Sequence, residues 1–192
     1  MRLLLVDPDP TRAALVAEGL KGMDPLDLRR ASSLNEEEID TFRPDLIIIA
    51  CDSPDRDTLE GLHEATRENP RPVVMFVDRS EPGLAQEAVR AGVAAYIVDG
   101  LQPARVRPIL EVAMTRFQLM QRLRTDLAKA QLDLASRKTI ERAKGLLMKE
   151  RQVDEEQAYA LLRKLAMNTG RSIAVVAADL ISFSGVLKGD ES

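Results

Sequence analysis

The amino-acid sequence predicts an α/β doubly wound domain with a five-stranded parallel sheet, followed by a long helix and an all-α bundle of three helices. Three observations predict this fold class. Apolar strands without polar alternation are separated by helical segments in the first hundred residues, which is typical of a parallel sheet covered on both faces. A segment rich in Leu, Ala, Arg and Lys then follows with one Pro and one Gly between residues 104 and 151. Two further helical segments end the chain.

Each element of the α/β domain is marked by an apolar run or by a helical spacing of apolar residues. Strands are expected at 2–6, 26–30, 45–50, 72–77 and 94–98. Helices lie between them, and those over 57–69 and 82–92 end at Asn69, which precedes a proline, and at Gly92. The buried face of the first helix is expected to include Ala14, Leu15, Ala17 and Leu20.

The long helix carries a regular apolar seam. Its members are Val106, Leu110, Ala113, Phe117, Met120, Leu123, Leu127, Ala130 and Leu134. The spacing alternates between three and four residues with one irregularity, which is typical of a coiled coil. The seam predicts pairing with another chain, and a homodimer through 104–136 is one such pairing. The alternative is a helical hairpin within one chain. We therefore expect a domain over 1–103, a coiled-coil helix over 104–136 and a helical domain over 137–192.

Charge is distributed unevenly along the chain. The net charge of −4 combines −9 in residues 1–103, +7 in residues 104–151 and −2 in residues 152–192. The basic middle segment is where a polyanion is expected to bind, and a solvated helix surface is the alternative interpretation.

Composition excludes several classes of function. One Cys and one His leave little for zinc chemistry or for Ser-His or Cys-His catalysis, and 3% aromatic residues argue against stacking platforms for single-stranded bases. No apolar run approaches the roughly 20 residues of a membrane span, and the start of the chain lacks a signal peptide. We expect a cytoplasmic protein without enzymatic activity, cofactor or metal.

Acidic residues follow the first and third predicted strands. Asp7 and Asp9 close the first strand and Asp52 follows the third, and these strands are neighbours in a sheet of order 2-1-3-4-5. Converging carboxylates at strand ends suit a hard cation such as Mg²⁺. The stretch "PDLIIIACDSPDRDTLE", residues 44–60, resembles the third strand and following loop of the receiver domain of two-component response regulators.

The receiver resemblance implies that phosphorylation chemistry is absent. The phosphoacceptor position falls on Ala50, the Thr/Ser position that ends strand 4 falls on Val77, and the Lys position that ends strand 5 falls on Asp99. Alanine cannot form an aspartyl phosphate, and an aspartate in place of the lysine would repel a phosphoryl group. We expect Asp7, Asp9 and Asp52 to form only a residual acidic pocket.

The most specific motif lies in residues 139–181, "TIERAKGLLMKERQVDEEQAYALLRKLAMNTGRSIAVVAADLI". It resembles the ANTAR domain, the RNA-binding module of bacterial transcription antiterminators. The matching residues are Ala143-Lys144-Gly145, Met148, Glu155-Glu156, Ala158-Tyr159, Leu162-Arg163, Ala166-Met167, Arg171 and Val176-Ala177. The resemblance implies RNA contacts first from Lys144, Arg163 and Arg171, and then from Lys138, Arg142, Lys149 and Lys164.

Apolar motif residues predict the core of a three-helix bundle. The expected core is Ala143, Leu146, Leu147, Tyr159, Leu162, Leu165, Ala166, Ile173, Val176, Ala177 and Leu180, with Met148 and Met167. Asp154 with Gln157 predicts a capping box, and Gly170 predicts the end of that helix. Gly145 inside a helix costs about 1 kcal/mol relative to Ala, which favours close approach of another backbone, from protein or RNA.

The arrangement of receiver-like domain, coiled coil and ANTAR domain resembles that of the AmiR and NasT type of regulators. The resemblance implies antitermination by binding paired hairpins in a leader mRNA of nitrate or nitrite assimilation genes, and a sensor partner of the NasS type that holds the protein inactive. A DNA-binding response regulator is the alternative, although "RSIAVVAADLI" is too apolar for an exposed recognition helix. A phosphorylation-dependent switch and a coiled-coil adaptor are the further alternatives.

Overall fold

The computed structural model describes residues 1–67 and 69–188, without the side chains of 57 and 185–188. The last four residues of the helical domain expected over 137–192, part of a tail expected to fray, lie outside this range. The strands are β1 (Arg2–Val6), β2 (Asp27–Ala31), β3 (Leu46–Cys51), β4 (Val73–Val77) and β5 (Ala95–Val98). The helices are α1 (Pro10–Gly19), α2 (Glu36–Phe42), α3 (Arg56–Arg67), α4 (Leu84–Arg90), α5 (Pro103–Arg151), α6 (Glu155–Thr169) and α7 (Ile173–Lys188).

The five strands form one parallel sheet in the order β2-β1-β3-β4-β5, as the sequence predicts. Strands β3 and β4 are buried almost throughout because helices cover both faces of the sheet. Along β3 the side chains alternate between the two faces: Ile47 and Ile49 join one apolar cluster, whereas Ile48 and Ala50 join the other. The fold class predicted from the sequence is confirmed.

The first helix buries a different face from the one expected. Ala13, Val16 and Leu20 are buried, whereas Ala14 and Leu15 are exposed. The buried positions are spaced three and four residues apart, so they satisfy helical periodicity as well as the expected set does. The prediction was right for Leu20 and wrong for Ala14 and Leu15, and the observed face turns Arg12 inward as well.

Helix α5 divides the expected apolar seam into two parts. Val106, Leu110 and Ala113 are fully buried in the same cluster as Ile48 and Ala50. The later seam residues Met120, Leu123, Leu127 and Leu134 are each more than half exposed. The chain divides into two compact units, and the boundary between them falls within this helix, after residue 122. The sheet domain thus extends well beyond residue 103, and α5 continues without a break through residues 136 and 137.

The second unit contains the end of α5 with α6 and α7. Its buried core is formed by Ala143, Leu162, Ala166, Val176 and Ala177, with Leu147, Ile173 and Leu180 packed against it. Helix α6 begins with the predicted capping box of Asp154 and Gln157 and ends at Gly170 in the left-handed conformation (φ 64°).

Several residues expected in this core lie on the surface instead. Tyr159 and Leu165 are each 43% exposed, Met148 is 39% exposed and Met167 is 73% exposed. The prediction of these four as core residues was wrong. On α6, the buried face consists of Ala158, Leu162 and Ala166, so Tyr159, Leu165 and Met167 lie on other faces of the helix. None of the helices in the described part of the chain has a stretch long and apolar enough to cross a membrane.

Candidate nucleic-acid interface and acidic pocket

The carboxyl ends of β1, β3 and β4 meet around one arginine. In the first turn of α1, Arg12 donates from Nε and Nη2 to both carboxylate oxygens of Asp7, at 3.0 Å each. Its Nη1 donates to Asp52 Oδ1 at 2.5 Å and to Asp78 Oδ2 at 3.0 Å. The guanidinium therefore serves as the shared counter-charge of three carboxylates from three adjacent strand ends, although it compensates only one of their three negative charges. It forms a bidentate pair with Asp7 and single hydrogen bonds to Asp52 and Asp78.

Of the three acidic residues expected in the pocket, the structure brings Asp7 and Asp52 together on Arg12. The Asp9 carboxylate instead accepts a hydrogen bond from the Thr11 N–H at 2.8 Å and caps α1. Sequence reasoning missed Arg12 and Asp78. Arg12 could have been found from its position next to Ala13, because Ala13 begins the face of α1 that is buried in the structure.

The electrostatics of the pocket follow from this arrangement. Burial would lower the pKa of Arg12, but the hydrogen bonds that Arg12 donates to Asp7 and Asp52 outweigh burial, so the pKa rises above its usual value. The hydrogen bond from Arg12 lowers the pKa of Asp52. Burial raises the pKa of the Cys51 thiol to about 11, so this thiol is protonated and unreactive at neutral pH.

The positions that carry phosphoryl chemistry in receiver domains hold unsuitable residues here. Ala50 is buried in the apolar cluster of β3, and Val77 is buried at the end of β4. Asp99 is exposed and adopts a positive φ of 47°. Among the described residues, no group of three or more His, Cys, Asp or Glu side chains is placed to hold a metal ion.

Among the seven basic residues expected to contact RNA, Lys144 is the buried one. Its residue is only 7% exposed, and its Nζ lies 2.7 Å from Glu141 Oε1 and 2.6 Å from Glu155 Oε1. The hydrogen bonds that Lys144 donates to Glu141 and Glu155 raise its pKa. Because Glu155 is the first residue of α6, this lysine ties the end of α5 to the start of α6.

The other six basic residues expected to contact RNA are exposed: Lys138, Arg142 and Lys149 on α5, Arg163 and Lys164 on α6, and Arg171 before α7. Arg171 Nη1 is 2.5 Å from Asp179 Oδ2, so part of its charge is used within the unit. The outer side of α6 forms a shallow groove of about 340 Å³ between Tyr159, Arg163, Lys164 and Met167. Exposure of Tyr159 and Met167 on this surface was not foreseen, because both residue types normally indicate a core.

Arg12 is expected to be essential to the stability of the sheet unit. Arg12→Gln leaves the fully buried carboxylate of Asp7 without its counter-charge and is expected to lower the free energy of unfolding by about 3 kcal/mol at neutral pH. Arg12 lowers the pKa of Asp52 in the folded chain. Their interaction therefore stabilises the fold fully at a pH above 3.8, the usual pKa of an aspartate, and this stabilisation is lost as the pH falls through the lowered pKa of the folded chain. Urea unfolding of both chains across this range should therefore show a difference that shrinks on acidification. Arg30→Gln, at an exposed arginine of β2, is the control, and an equal loss in both variants would contradict the prediction.

The sequence is similar to one family of domains and to a known regulatory protein. Residues 128–181 match the family model of the ANTAR domain. The transcriptional regulatory protein PdtaR of Mycobacterium tuberculosis is 29% identical over 152 residues, in strains CDC 1551 / Oshkosh and ATCC 25618 / H37Rv alike. The matched region covers 79% of this chain and 74% of PdtaR.

Solved receiver domains share the fold of the first unit. The CheY-like response regulator receiver domain protein of Methanospirillum hungatei JF-1 matches with a TM-score of 0.52 at 18% identity, covering 62% of this chain and 97% of that one. The signal receiver domain of a modulated diguanylate cyclase from Desulfovibrio desulfuricans G20 matches with a TM-score of 0.51 at 18% identity, with the same coverage of 62% and 97%. The chain therefore contains an ANTAR domain over residues 128–181, preceded by a receiver-like domain.

Proposed function

We propose that this protein is a non-enzymatic regulator that binds RNA through its ANTAR domain and controls transcription by antitermination. The observation that carries the proposal is the match of residues 128–181 to the ANTAR family model. Six of the seven basic side chains that are predicted to contact RNA are also exposed. Its RNA target is a leader mRNA with two hairpins, whose binding prevents a terminator from forming. By resemblance to the NasT type, the controlled genes serve nitrate or nitrite assimilation.

The groove on α6 is the first candidate contact surface. Arg163 and Lys164 supply positive charge, while Tyr159 offers an exposed ring and Met167 an exposed apolar side chain. Single-stranded loop bases are recognised by stacking on such rings, with basic groups on the adjacent phosphates. A hairpin loop fits this combination better than duplex DNA, because unpaired loop bases can stack on an exposed ring, whereas bases within a duplex are already stacked and paired.

Lys144 has a different role in this proposal. Its ammonium is enclosed by Glu141 and Glu155, so reaching a phosphate would cost both ion pairs. We assign it the role of positioning α6, and with it Arg163, relative to α5 within the bundle. Arg171 contributes charge but shares it with Asp179.

Binding to RNA can be tested with the full chain and a two-hairpin leader RNA over a range of salt concentrations. We expect tight binding that weakens on deletion of either hairpin, and much weaker binding to a scrambled RNA and to promoter DNA. Equal affinity for the scrambled RNA would contradict the proposal, and preference for promoter DNA would favour the DNA-binding response regulator.

Two substitutions separate contact from positioning. Arg163→Gln should weaken RNA binding and reduce the slope of log affinity against log salt by about one, because one phosphate contact is lost. Lys144→Gln should lower the stability of the ANTAR domain in chemical unfolding while leaving the salt slope unchanged. A reduced slope for Lys144→Gln at unchanged stability would instead make Lys144 an RNA contact.

The receiver-like domain is proposed to act without phosphorylation. Ala50 cannot accept a phosphoryl group, and Arg12 already supplies the positive charge that the strand-end carboxylates need. Incubation with acetyl phosphate and Mg²⁺ is expected to add no phosphoryl group by intact-mass measurement, under conditions that label a phosphorylatable receiver domain. A phosphoryl group on Asp52 would contradict this. Regulation would come instead from a sensor partner of the NasS type that sequesters the protein.

The exposed part of the seam is proposed to pair two copies of the chain. Met120, Leu123, Leu127 and Leu134 are 52% to 60% exposed and, with Ala130, keep the alternation of three and four residues that matches a second identical helix. Sedimentation equilibrium should show a dimer that Leu123→Glu with Leu127→Glu dissociates. Leu132→Glu, at an exposed leucine outside the seam, should leave the dimer intact. A wild-type chain that stays monomeric would exclude the homodimer and leave the seam to the sensor.

A further inference from the structure

Gly145 lies inside α5, where a glycine has no evident internal purpose. It is exposed, and apart from the adjacent backbone of α5 itself no described atom lies within 4 Å of the position that a Cβ would take. Its conformation is helical, so no turn or left-handed backbone requires it. Glycine in a helix interior is destabilising relative to alanine. Nothing described in this unit accounts for the missing side chain, and the requirement must come from a molecule outside the unit.

The surroundings of Gly145 indicate the charge of that molecule. Lys138, Arg142 and Lys149 are exposed, and with Gly145 they follow a spacing of four, three and four residues. Residues at this spacing lie along one face of a helix. The nearest acidic side chain on the flank, Glu141, is bonded to Lys144. We call the line of Lys138, Arg142, Gly145 and Lys149 the α5 strip.

From this geometry we propose that the α5 strip is a docking site for an RNA phosphate backbone, and that Gly145 is the point of closest approach. The inference rests on the RNA-binding function proposed above and names a surface on α5 that is separate from the groove on α6. The strip is about 16 Å long, at 1.5 Å of rise per residue, which spans a few successive phosphates of one strand. Basic side chains on both sides of Gly145 would hold the strand, while the missing side chain lets its backbone approach the helix.

A second copy of the chain suits the strip less well. Two copies meeting at Gly145 would bring like charges at 138, 142 and 149 together and would have to desolvate them. The apolar seam that suits helix pairing ends at Leu134, before the strip begins. Charge complementarity therefore favours a polyanion.

Gly145→Ala provides the decisive test because stability and binding should change in opposite directions. The added methyl group fills open space and improves helix propensity, so the Tm should rise by about 2–4 °C. The same methyl group obstructs the RNA backbone, so the affinity of Gly145→Ala for the two-hairpin RNA should fall about tenfold. The affinity of Gly145→Gln should fall further, because its side chain is larger. Gly61→Ala is the matched control, since Gly61 is also an exposed helical glycine with open space around it, but on α3. It should leave RNA binding unchanged.

Charge variants provide a second and independent measurement. We expect the slope of log affinity against log salt to decrease by about 0.7–0.9 in each of the variants Lys138→Gln, Arg142→Gln and Lys149→Gln. Arg137 is exposed but lies about a quarter turn away from the strip, so Arg137→Gln should leave the slope unchanged. Wild-type affinity in Gly145→Ala would overturn the inference while the RNA-binding function stands. A Gly145→Ala chain with altered sedimentation and unaltered RNA affinity would assign the strip to a second copy. Failure of the wild-type chain to bind RNA would reject both the function and the strip.

Discussion

Helix α5 is the element on which both units depend, because it contributes buried side chains to two separate cores. Its early residues Leu110 and Ala113 complete the apolar layer beneath the sheet, and its late residue Ala143 lies at the centre of the ANTAR core. Without α5 neither core is complete. Burial of a leucine is worth about 1.5–3 kcal/mol, so removal of the first turns of α5 would cost the sheet unit a large share of a typical domain's stability. The stretch between the two cores keeps a regular row of exposed apolar side chains from Met120 to Leu134, which is about four helical turns long.

The acidic pocket shows how a receiver-like fold can persist without the chemistry of a receiver. Carboxylates that converge at strand ends repel one another unless a positive charge lies between them. Here a side chain provides that charge: Arg12 binds Asp7, Asp52 and Asp78 at once. A tethered cation cannot diffuse away or exchange, so one of the three negative charges is always compensated. Under the function proposed above, the domain keeps this ion pair for its stability and acts without a phosphoryl signal.

The sequence predicted elements well and contacts poorly, and the reasons differ between residues. Apolar runs and caps placed all five strands and the capping box at Asp154, because these signals depend on neighbouring residues only. The inward turn of Arg12 depended on which of two helical faces packs against the sheet, and both faces of α1 satisfied the periodicity. The exposure of Met167 depended on which face of α6 packs against the other helices, and that face holds Ala158, Leu162 and Ala166.

Two adjacent residues of the ANTAR motif illustrate why residue type alone does not assign a role. Lys144 has the charge expected of an RNA contact, yet its ammonium is enclosed by two glutamates and joins two helices. Gly145 has no functional group, yet it lies on the exposed face between basic side chains where a side chain would only obstruct. One residue contributes by what it binds inside the domain and the other by the space it leaves outside. Burial is therefore the reason for proposing a positioning role for Lys144 and for arguing the proposed surface on α5 from Gly145.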